Sequence, residues 1–430
     1  MRSKYKYSQF NSLVELNEDQ KVIYNSLSHA IIAPDSLPAD CNDLSQKQLQ
    51  KLQINNFVVP YDIQEGELVL NGLKDRLTAD STFYLMVNPT LECNCRCWYC
   101  VESHPRSSIS PEVVDQLKVT ILSILSRYDR LSLSFFGGEP FLRFHEFVKP
   151  FMEWTTQVCR ERDKELSFIF TTNGLLLTQQ IVDFLKEFPN QSYQITLDGG
   201  REFHNRTRLF RNQEKDSYDK VLEAIDMLAT AHLPVTVRLN LTHENINSAY
   251  EIVDTFRDWP MEKKISLQVA CQQVWQDCAK GSLLEDFFNI RSAFAEIGIR
   301  PDVKEMDWFE ISCYGDRLHT IGINYDGSMY KCSAIDYATE DSIGQLTDNL
   351  FNDLEQDFLK YWKRKTANDK CKHCRILNLC MKGCYKHVKK NPEDHCNYPT
   401  DEQKDLLIKQ HLNELAFREI FKTNNTIYPS

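Results

Sequence analysis

The rhythm of apolar residues changes near residue 80. Before it, short alternating runs at 12–16, 21–24 and 30–33 predict strands. Helical spacing predicts helices over about 44–52 and 64–76, with Asp43 placed to cap the first. Residues 1–80 thus form a small α+β module. Beyond it, strands are expected at 83–87, 131–136, 166–171, 193–197, 234–240 and 265–270. Helices are expected between them at 110–127, 144–160, 178–187, 218–230 and 248–257. Ser110 is the natural cap of the first of these, and Pro111 suits its first turn. Val113, Val114, Leu117, Val119, Ile121 and Leu122 are its expected buried positions. Six strands alternating with helices imply an α/β fold with a parallel sheet, either a partial barrel or an open doubly wound sheet. In both, ligands bind at the C-terminal strand ends. This unit is expected over 81–275. A helical bridge (283–297) lies in 276–312, a loop-rich segment follows over 313–400, and a closing helix, 401–421, lies in 401–430.

The chain has 430 residues, 42% hydrophobic and 26% charged, as a soluble globular protein would. Lys+Arg 50 against Asp+Glu 61 leaves a net charge of −11, which with no evident basic cluster argues against a nucleic-acid partner. No apolar run approaches the roughly 18–20 residues of a membrane span. The opening MRSKYKYSQF lacks the apolar core of a signal peptide, so a cytoplasmic protein is expected. The 15 cysteines change the picture. In a reducing compartment, clustered cysteines are metal ligands more often than disulfides. Four lie at Cys93, Cys95, Cys97 and Cys100, seven between Cys313 and Cys396, and Cys41, Cys159, Cys271 and Cys278 stand apart.

Cys93, Cys97 and Cys100 form C-x3-C-x2-C directly after the first parallel strand. Three close thiolates suit three irons of a cubane, with the fourth left open. Alone, the segment also fits a structural zinc, with Cys95 as fourth ligand. Phe136-Gly137-Gly138-Glu139-Pro140 ends the second strand. Two glycines permit close backbone approach to a ligand, and Glu139 can accept from an ammonium group.

Together these motifs resemble the radical S-adenosylmethionine superfamily, with Gly137, Gly138, Glu139 and Pro140 as its GGEP motif. The resemblance implies a partial (β/α)6 barrel. Cys93, Cys97 and Cys100 would hold a [4Fe–4S] cluster whose open iron binds S-adenosylmethionine, and reductive cleavage would yield a 5′-deoxyadenosyl radical. Asn173 (third strand end), Thr196 and Asp198 (fourth) match positions lining the cofactor pocket. Tyr99 matches the aromatic beside the adenine. Arg238, next but one to Asn240, is expected to face the cofactor carboxylate. Outside the resemblance, Asn-Gly and Asp-Gly pairs are ordinary turns.

A second pattern follows. Cys313 and Cys332 bracket Gly327, then come Cys371-x2-Cys374-x5-Cys380-x3-Cys384 and finally Cys396. This resembles the SPASM domain of peptide-modifying radical enzymes, which implies two auxiliary [4Fe–4S] clusters. Cys371, Cys374, Cys380 and Cys396 would complete one. Cys313, Cys332 and Cys384 would hold the other, with Asp307, Cys278 or Cys271 as fourth ligand, or an open iron. Cys95, Cys41 and Cys159 are expected to be buried apolar residues.

The resemblance extends to maturases of ribosomally made peptides. Residues 1–80 resemble in order and size their winged-helix-like leader-binding element, where a leader adds as a strand. The expected product is a thioether or carbon–carbon crosslink, and the implied partners are a precursor peptide with its leader and a flavodoxin or ferredoxin donor. Anaerobic sulfatase maturases resemble one another in carrying an Asp after the second SPASM cysteine. Here Ser333 follows Cys332 and the nearest acid is Asp336. Asp336, Glu305 and Asp307 are the candidate bases. A non-catalytic iron–sulfur scaffold is the other class, though it would need no cofactor cradle.

Overall fold

The computed structural model describes residues 4–17, 20–79, 81–209, 216–302, 313–347, 349–380, 383–391 and 396–423. Two compact units emerge. One gathers Met1–Asp80, Val303–Leu318 and Leu354–Pro429, and the other holds Ser81–Asp302 and His319–Asp353. Among the described residues no helix is long and apolar enough to cross a membrane.

In the first unit, β1 (Tyr5–Tyr7) will pair with β5, while β2 (Asn11–Asn17), β3 (Gln20–Asn25) and β4 (Ile31–Ile32) form an antiparallel sheet in that order; β5 is Val58–Pro60. Helices Gln46–Ile54 and Glu65–Thr78 follow the expected periodicity. The cap of the first is Ser45, not Asp43. Ser45 and Gln48 satisfy each other's backbone donors in a capping box, while Asp43 lies in the preceding 3-10 turn, Cys41–Asp43. The core of this unit joins residues far apart in sequence. Val14, Val22 and Tyr24 pack with Ile376, Leu379 and Ile408, and Phe10, Val69 and Leu70 pack with Leu377. Ser26 Oγ donates to Asn378 Oδ1 at 2.9 Å, and Asn378 Nδ2 returns a bond to Ser26 O at 2.7 Å. A Cβ on Gly66 would lie 1.8 Å from Lys372 O, so only glycine lets the two segments meet there.

The second unit carries the expected strands as β6 (Thr82–Val87), β7 (Arg130–Phe135), β8 (Glu165–Thr172), β9 (Gln191–Leu197), β10 (Val235–Leu241) and β11 (Leu267–Gln273). They run parallel in sequence order. Sequential order has no switch point, which excludes the doubly wound alternative. The sheet continues into β12 (Arg300–Pro301) on one side. On the other it continues into β13 (Thr320–Ile323), parallel to β6, and then antiparallel β14 (Ser328–Tyr330) and β15 (Gly344–Gln345). One face is apolar and buried under helices, with Phe135 and Phe170 stacked 5.2 Å apart. Alternation puts Ser134, Ser167, Gln194, Thr196 and Arg238 on the other face.

Two further local readings are corrected, and one helix is added. In helix Pro111–Leu125, Ser110 caps as expected, but Val119 and Leu122 are exposed and Ile124 and Leu125 are buried. The buried stripe runs through Val113, Leu117, Ile121 and Ile124 at helical spacing, which turns position 119 to solvent. The expected helix over 144–160 opens with a 3-10 turn and a π turn (Phe144–Val148) before Lys149–Glu161. The helix Arg201–Thr207 after β9 has no counterpart in the apolar pattern.

Candidate functional site

The loop after β6 bears Cys93, Cys97 and Cys100, and the turn after β7 supports it from below. Gly138 N donates to Thr90 O at 3.2 Å and Glu139 N donates to Glu92 O at 2.8 Å. A Cβ on Gly138 would lie 2.2 Å from Glu92 O and 2.4 Å from Leu91 O. Gly137, at φ +99, would place a Cβ 2.5 Å from Thr90 O. The close approach these glycines permit is therefore to the cysteine loop's own backbone. Arg143 pins the same loop, donating to Glu92 at 2.8 Å and to Ser107 O at 3.1 Å.

Glu139 is completely buried. Its carboxylate accepts from Thr172 Oγ1 at 2.8 Å, Asn173 N at 2.8 Å and Phe141 N at 3.1 Å. Burial pushes it up to about 7 against these bonds. It straps the β7 turn to the end of β8, and from there Asn173 Nδ2 reaches Asn94 Oδ1 at 2.7 Å and Cys93 Sγ at 3.7 Å. The Cys95 thiol also donates to Cys93 and, against burial, draws it down to about 6; Cys95 N–H, Arg208 and Asn173 assist. Cys95 itself is buried beneath the loop. Burial raises Cys97 to about 12, and the neighbouring Cys93 and Cys100 sulfurs push it further the same way. Three soft thiols brought within mutual electrostatic reach, with a guanidinium beside them, are a donor set that fits an iron–sulfur cubane.

That guanidinium belongs to Arg208, which the sequence reading missed. Its side chain is buried and pairs with the buried Asp198 at 2.7 Å. Asp198 also takes the Tyr99 hydroxyl at 2.8 Å. Arg238, on the polar face of β10, donates to Asn240 Oδ1 at 2.9 Å and lies within the field of Tyr99 and Asp198. Thr196 is its register neighbour on β9 and is buried. Tyr99, Asp198, Thr196 and Arg238 therefore meet at the C-terminal strand ends, beside the cysteine loop. The only signal for Arg208 is an unexplained cluster of cations around 201–208, in a stretch without apolar periodicity.

The loop's exit carries another feature. Glu102 has a nearly buried side chain whose Oε2 has no hydrogen-bond partner, 4.0 Å from His104 Nδ1. Burial, then Cys93 and Asp336, raise it to about 8. Asp336, a candidate base, accepts from Ser103 N at 3.3 Å and Ser103 Oγ at 3.1 Å. Cys332 packs with Phe136 against Leu91, Tyr330, Ile335 and Tyr337. Glu305 and Asp307 lie outside the described residues.

Cys313, Cys371, Cys374, Cys380, Cys384 and Cys396 belong to the first unit and Cys332 to the second. Cys374 lines both the Tyr24–Ile408 cluster and the Phe10–Leu377 cluster, Cys371 the second of these and Cys380 the first. Cys384 and Cys396 are exposed. A buried polar network stands beside Cys313 and Cys384. Lys365 Nζ donates to Asp316 Oδ2 at 2.8 Å, Tyr361 OH at 2.7 Å and Gly383 O at 2.8 Å, while Asp316 N donates to Cys313 O at 2.9 Å. Cys271 shares the helix-covered side of β11 with Val269, and Cys278 donates to Val274 O. Among the described residues no three His, Cys, Asp or Glu side chains gather around a single-ion site.

Residues 87–256 match the radical SAM superfamily. A cysteine-type anaerobic sulfatase-maturating enzyme of Clostridium novyi (strain NT) is 22% identical over 340 residues, 71% of this chain and 89% of the relative. Radical SAM cyclopropyl synthase TigE of Paramaledivibacter caminithermalis is 21% identical over 334 residues, 70% of this chain and 67% of the relative. Among solved structures, anSMEcpe with bound AdoMet gives a TM-score of 0.59 at 19% identity, covering 80% of this chain and 98% of that one. Streptococcus suis SuiB bound to precursor peptide SuiA gives 0.53 at 14%, covering 91% and 100%. At these identities the structural likeness is one of fold.

Proposed function

We propose that this chain, whose residues 87–256 match the radical SAM superfamily, is a radical enzyme, a peptide maturase that installs a thioether or carbon–carbon crosslink in a ribosomally made precursor. The observation carrying the reading is the bracing of the three-cysteine loop on Gly137 and Gly138, which makes ligand loop and cofactor cradle one rigid piece. Cys93, Cys97 and Cys100 would hold the [4Fe–4S] cluster that cleaves S-adenosylmethionine. When bound, the pair supplies a carbon radical that takes a hydrogen atom from substrate. The chain's own part is positional. Arg208 and Asp198 fix Tyr99 beside the loop, Glu139 fixes the turn beneath it, and the polar sheet face orients the peptide. Cys371, Cys374, Cys380 and Cys396, and Cys313, Cys332 and Cys384, would hold two auxiliary clusters. Residues 1–80 would take the leader as an added strand on the small antiparallel sheet, where Leu13, Leu16 and Ile31 are exposed.

A second reading, formylglycine formation, is favoured by the extent of the match to the sulfatase-maturating relative. Against it stand Ser333 after Cys332 and the engagement of Asp336 with Ser103. One experiment separates the two. Anaerobically reconstituted protein is given S-adenosylmethionine, dithionite and either the peptide encoded beside its gene or a cysteine-bearing sulfatase peptide. The proposal expects 5′-deoxyadenosine and a gene-neighbour peptide lighter by two hydrogens. Formylglycine in the sulfatase peptide would replace it with the second reading, and no 5′-deoxyadenosine would sink both.

A further inference from the structure

The side chains of Lys365 and Asp316 are both buried completely or nearly so. Three acceptors from three parts of the chain meet the Lys365 ammonium: Asp316 Oδ2 at 2.8 Å, Tyr361 OH at 2.7 Å and Gly383 O at 2.8 Å. An ammonium has three N–H donors, one for each of them. Tyr361 OH in turn donates to Asp316 Oδ1 at 2.6 Å. Stability alone does not call for such a pair. Desolvation offsets most of the attraction in a buried ion pair, and an apolar replacement is often at least as stable. Lys365 and Tyr361 continue the buried stripe of Leu354 and Phe358 on helix Leu350–Thr366, where apolar residues would serve the packing. What the network does hold is two cysteines far apart in sequence. Asp316 N donates to Cys313 O at 2.9 Å, closing the turn Tyr314–Asp316 directly after Cys313. Gly383, at φ +80, immediately precedes Cys384, and Tyr385 on its other side packs its ring 5.1 Å from that of Tyr361. Burial, then Asp316, then the Cys313 and Cys384 sulfurs push the Tyr361 hydroxyl well above its ordinary value, so both cysteines stand within electrostatic reach of one oxygen.

We propose that Lys365, Asp316 and Tyr361 are positioning residues for one auxiliary iron–sulfur cluster: they clamp the Cys313 and Cys384 segments around a single buried ammonium and set the charge beside that cluster. The inference rests on the reading of those two cysteines as ligands of one cluster. Two soft thiols gathered about one hydroxyl fit that donor set. Asp316 lies only three residues after Cys313, but its two oxygens accept from Lys365 and Tyr361, so it acts through the clamp and not as a ligand. The clamp is electrically balanced, one ammonium against one carboxylate. It therefore orients the two segments without adding net charge beside the cluster. Removing one member breaks that balance in a buried site, where a charge is felt far more strongly than in water, and nearby charge is one of the levers on an iron–sulfur potential.

The test compares the reconstituted full chain with Asp316→Asn, Tyr361→Phe and the double variant Asp316→Asn/Lys365→Met. Cluster potentials are read by EPR-monitored redox titration, iron release by mixing with a strong chelator, and folding by far-ultraviolet circular dichroism. Asp316→Asn leaves the ammonium unbalanced, which favours the reduced and more negative cluster. The potential of one cluster should rise while the others hold. The double variant removes both charges and should bring that potential back toward the parental value. Tyr361→Phe keeps both charges, so its potentials should stay near parental, while one cluster gives up its iron about tenfold faster or more, the scale on which residues behind a metal ligand act. A network that served packing alone would move stability and leave every potential in place. Parental potentials in a folded, iron-loaded Asp316→Asn protein would overturn the inference, as would a double variant shifted as far as the single one. Should Asp316→Asn fail to fold, parental iron release from Tyr361→Phe would overturn it instead. A parent that binds about four irons per chain, and not about twelve, would remove the auxiliary clusters themselves, and the inference with them.

Discussion

Replacing Gly138 with alanine tests the bracing of the cysteine loop directly. The new methyl would sit 2.2 Å from Glu92 O and 2.4 Å from Leu91 O, both backbone atoms with no flexible end to swing aside. An ordinary contact needs roughly 3.5 Å, so the loop must rise by about 1 Å. That movement stretches the bonds from Glu139 N to Glu92 O and from Gly138 N to Thr90 O, now 2.8 and 3.2 Å. Two backbone bonds at about 1 kcal/mol each, with an overpacking cost of about 1–3 kcal/mol, come to roughly 3–5 kcal/mol charged to one loop. The rest of the sheet does not depend on those bonds, so the domain stays folded while the loop loses its fixed geometry. Gly138→Ala should therefore bind about four fewer irons per chain than parent after anaerobic reconstitution, with unchanged far-ultraviolet circular dichroism and no effect of S-adenosylmethionine on its EPR signal. Gly72→Ala is the control. Its Cβ meets nothing within 4 Å, and a helix-interior alanine should raise stability by about 0.5–1 kcal/mol. A Gly138→Ala protein with parental iron and a parental response to S-adenosylmethionine would refute the reasoning.

Three further outcomes follow from buried charge. Arg208→Met strands the buried Asp198 and should cost about 3–5 kcal/mol in urea unfolding; Arg208→Lys should recover little, because one ammonium cannot span both Asp198 and Tyr99, and a cost below about 1 kcal/mol would contradict this. Lys365→Met should cost a similar amount by leaving the buried Asp316 with the Tyr361 hydroxyl but no cation, and adding Asp316→Asn should restore part of it, so a double variant no better than the single one would show that the pair is not coupled. Burial holds His411 neutral, at about 3 against 6.5 in the unfolded chain, so the unfolded state takes up the proton first. Stability should then fall as pH drops below 6.5, by about 1.4 kcal/mol near pH 5.5; His411→Gln should flatten that slope in denaturation midpoints, and an unchanged slope would rule it out.

The positions of the parallel strands are legible from sequence because each buried strand is an apolar run bounded by a turn and followed by helical spacing, as at Phe83–Val87 and Pro111–Leu125, whereas their sequential order is not. The cysteine loop and the Gly137–Gly138 turn are legible because short-range spacing alone carries them. The role of the glycines is not: that Thr90–Glu92 fills the space over them is a tertiary fact. Arg208 escapes for a related reason. A lone arginine in an aperiodic stretch gives no sign of burial until Asp198 and Tyr99, distant in sequence, close around it. The strands β13 to β15 are short, and β13 is defined by its partner β6 rather than by its own pattern. The cap at Ser45 was available, since Ser-x-x-Gln is the capping-box spacing.

The core joining Phe10, Val14, Val22 and Tyr24 to Ile376, Leu377, Leu379 and Ile408 bears on how the protein is made. Its contacts span more than 350 residues of sequence. During synthesis the amino-terminal sheet leaves the ribosome long before its packing partners exist, whereas the parallel strands can pair with their neighbours as they emerge. The order of assembly is thus centre first, ends last. Until Ile376, Leu379 and then the final helix arrive, the apolar side of that small sheet lacks its cover. A chain that stops short of residue 400 should therefore betray itself by aggregation and protease sensitivity near its beginning, far from the break.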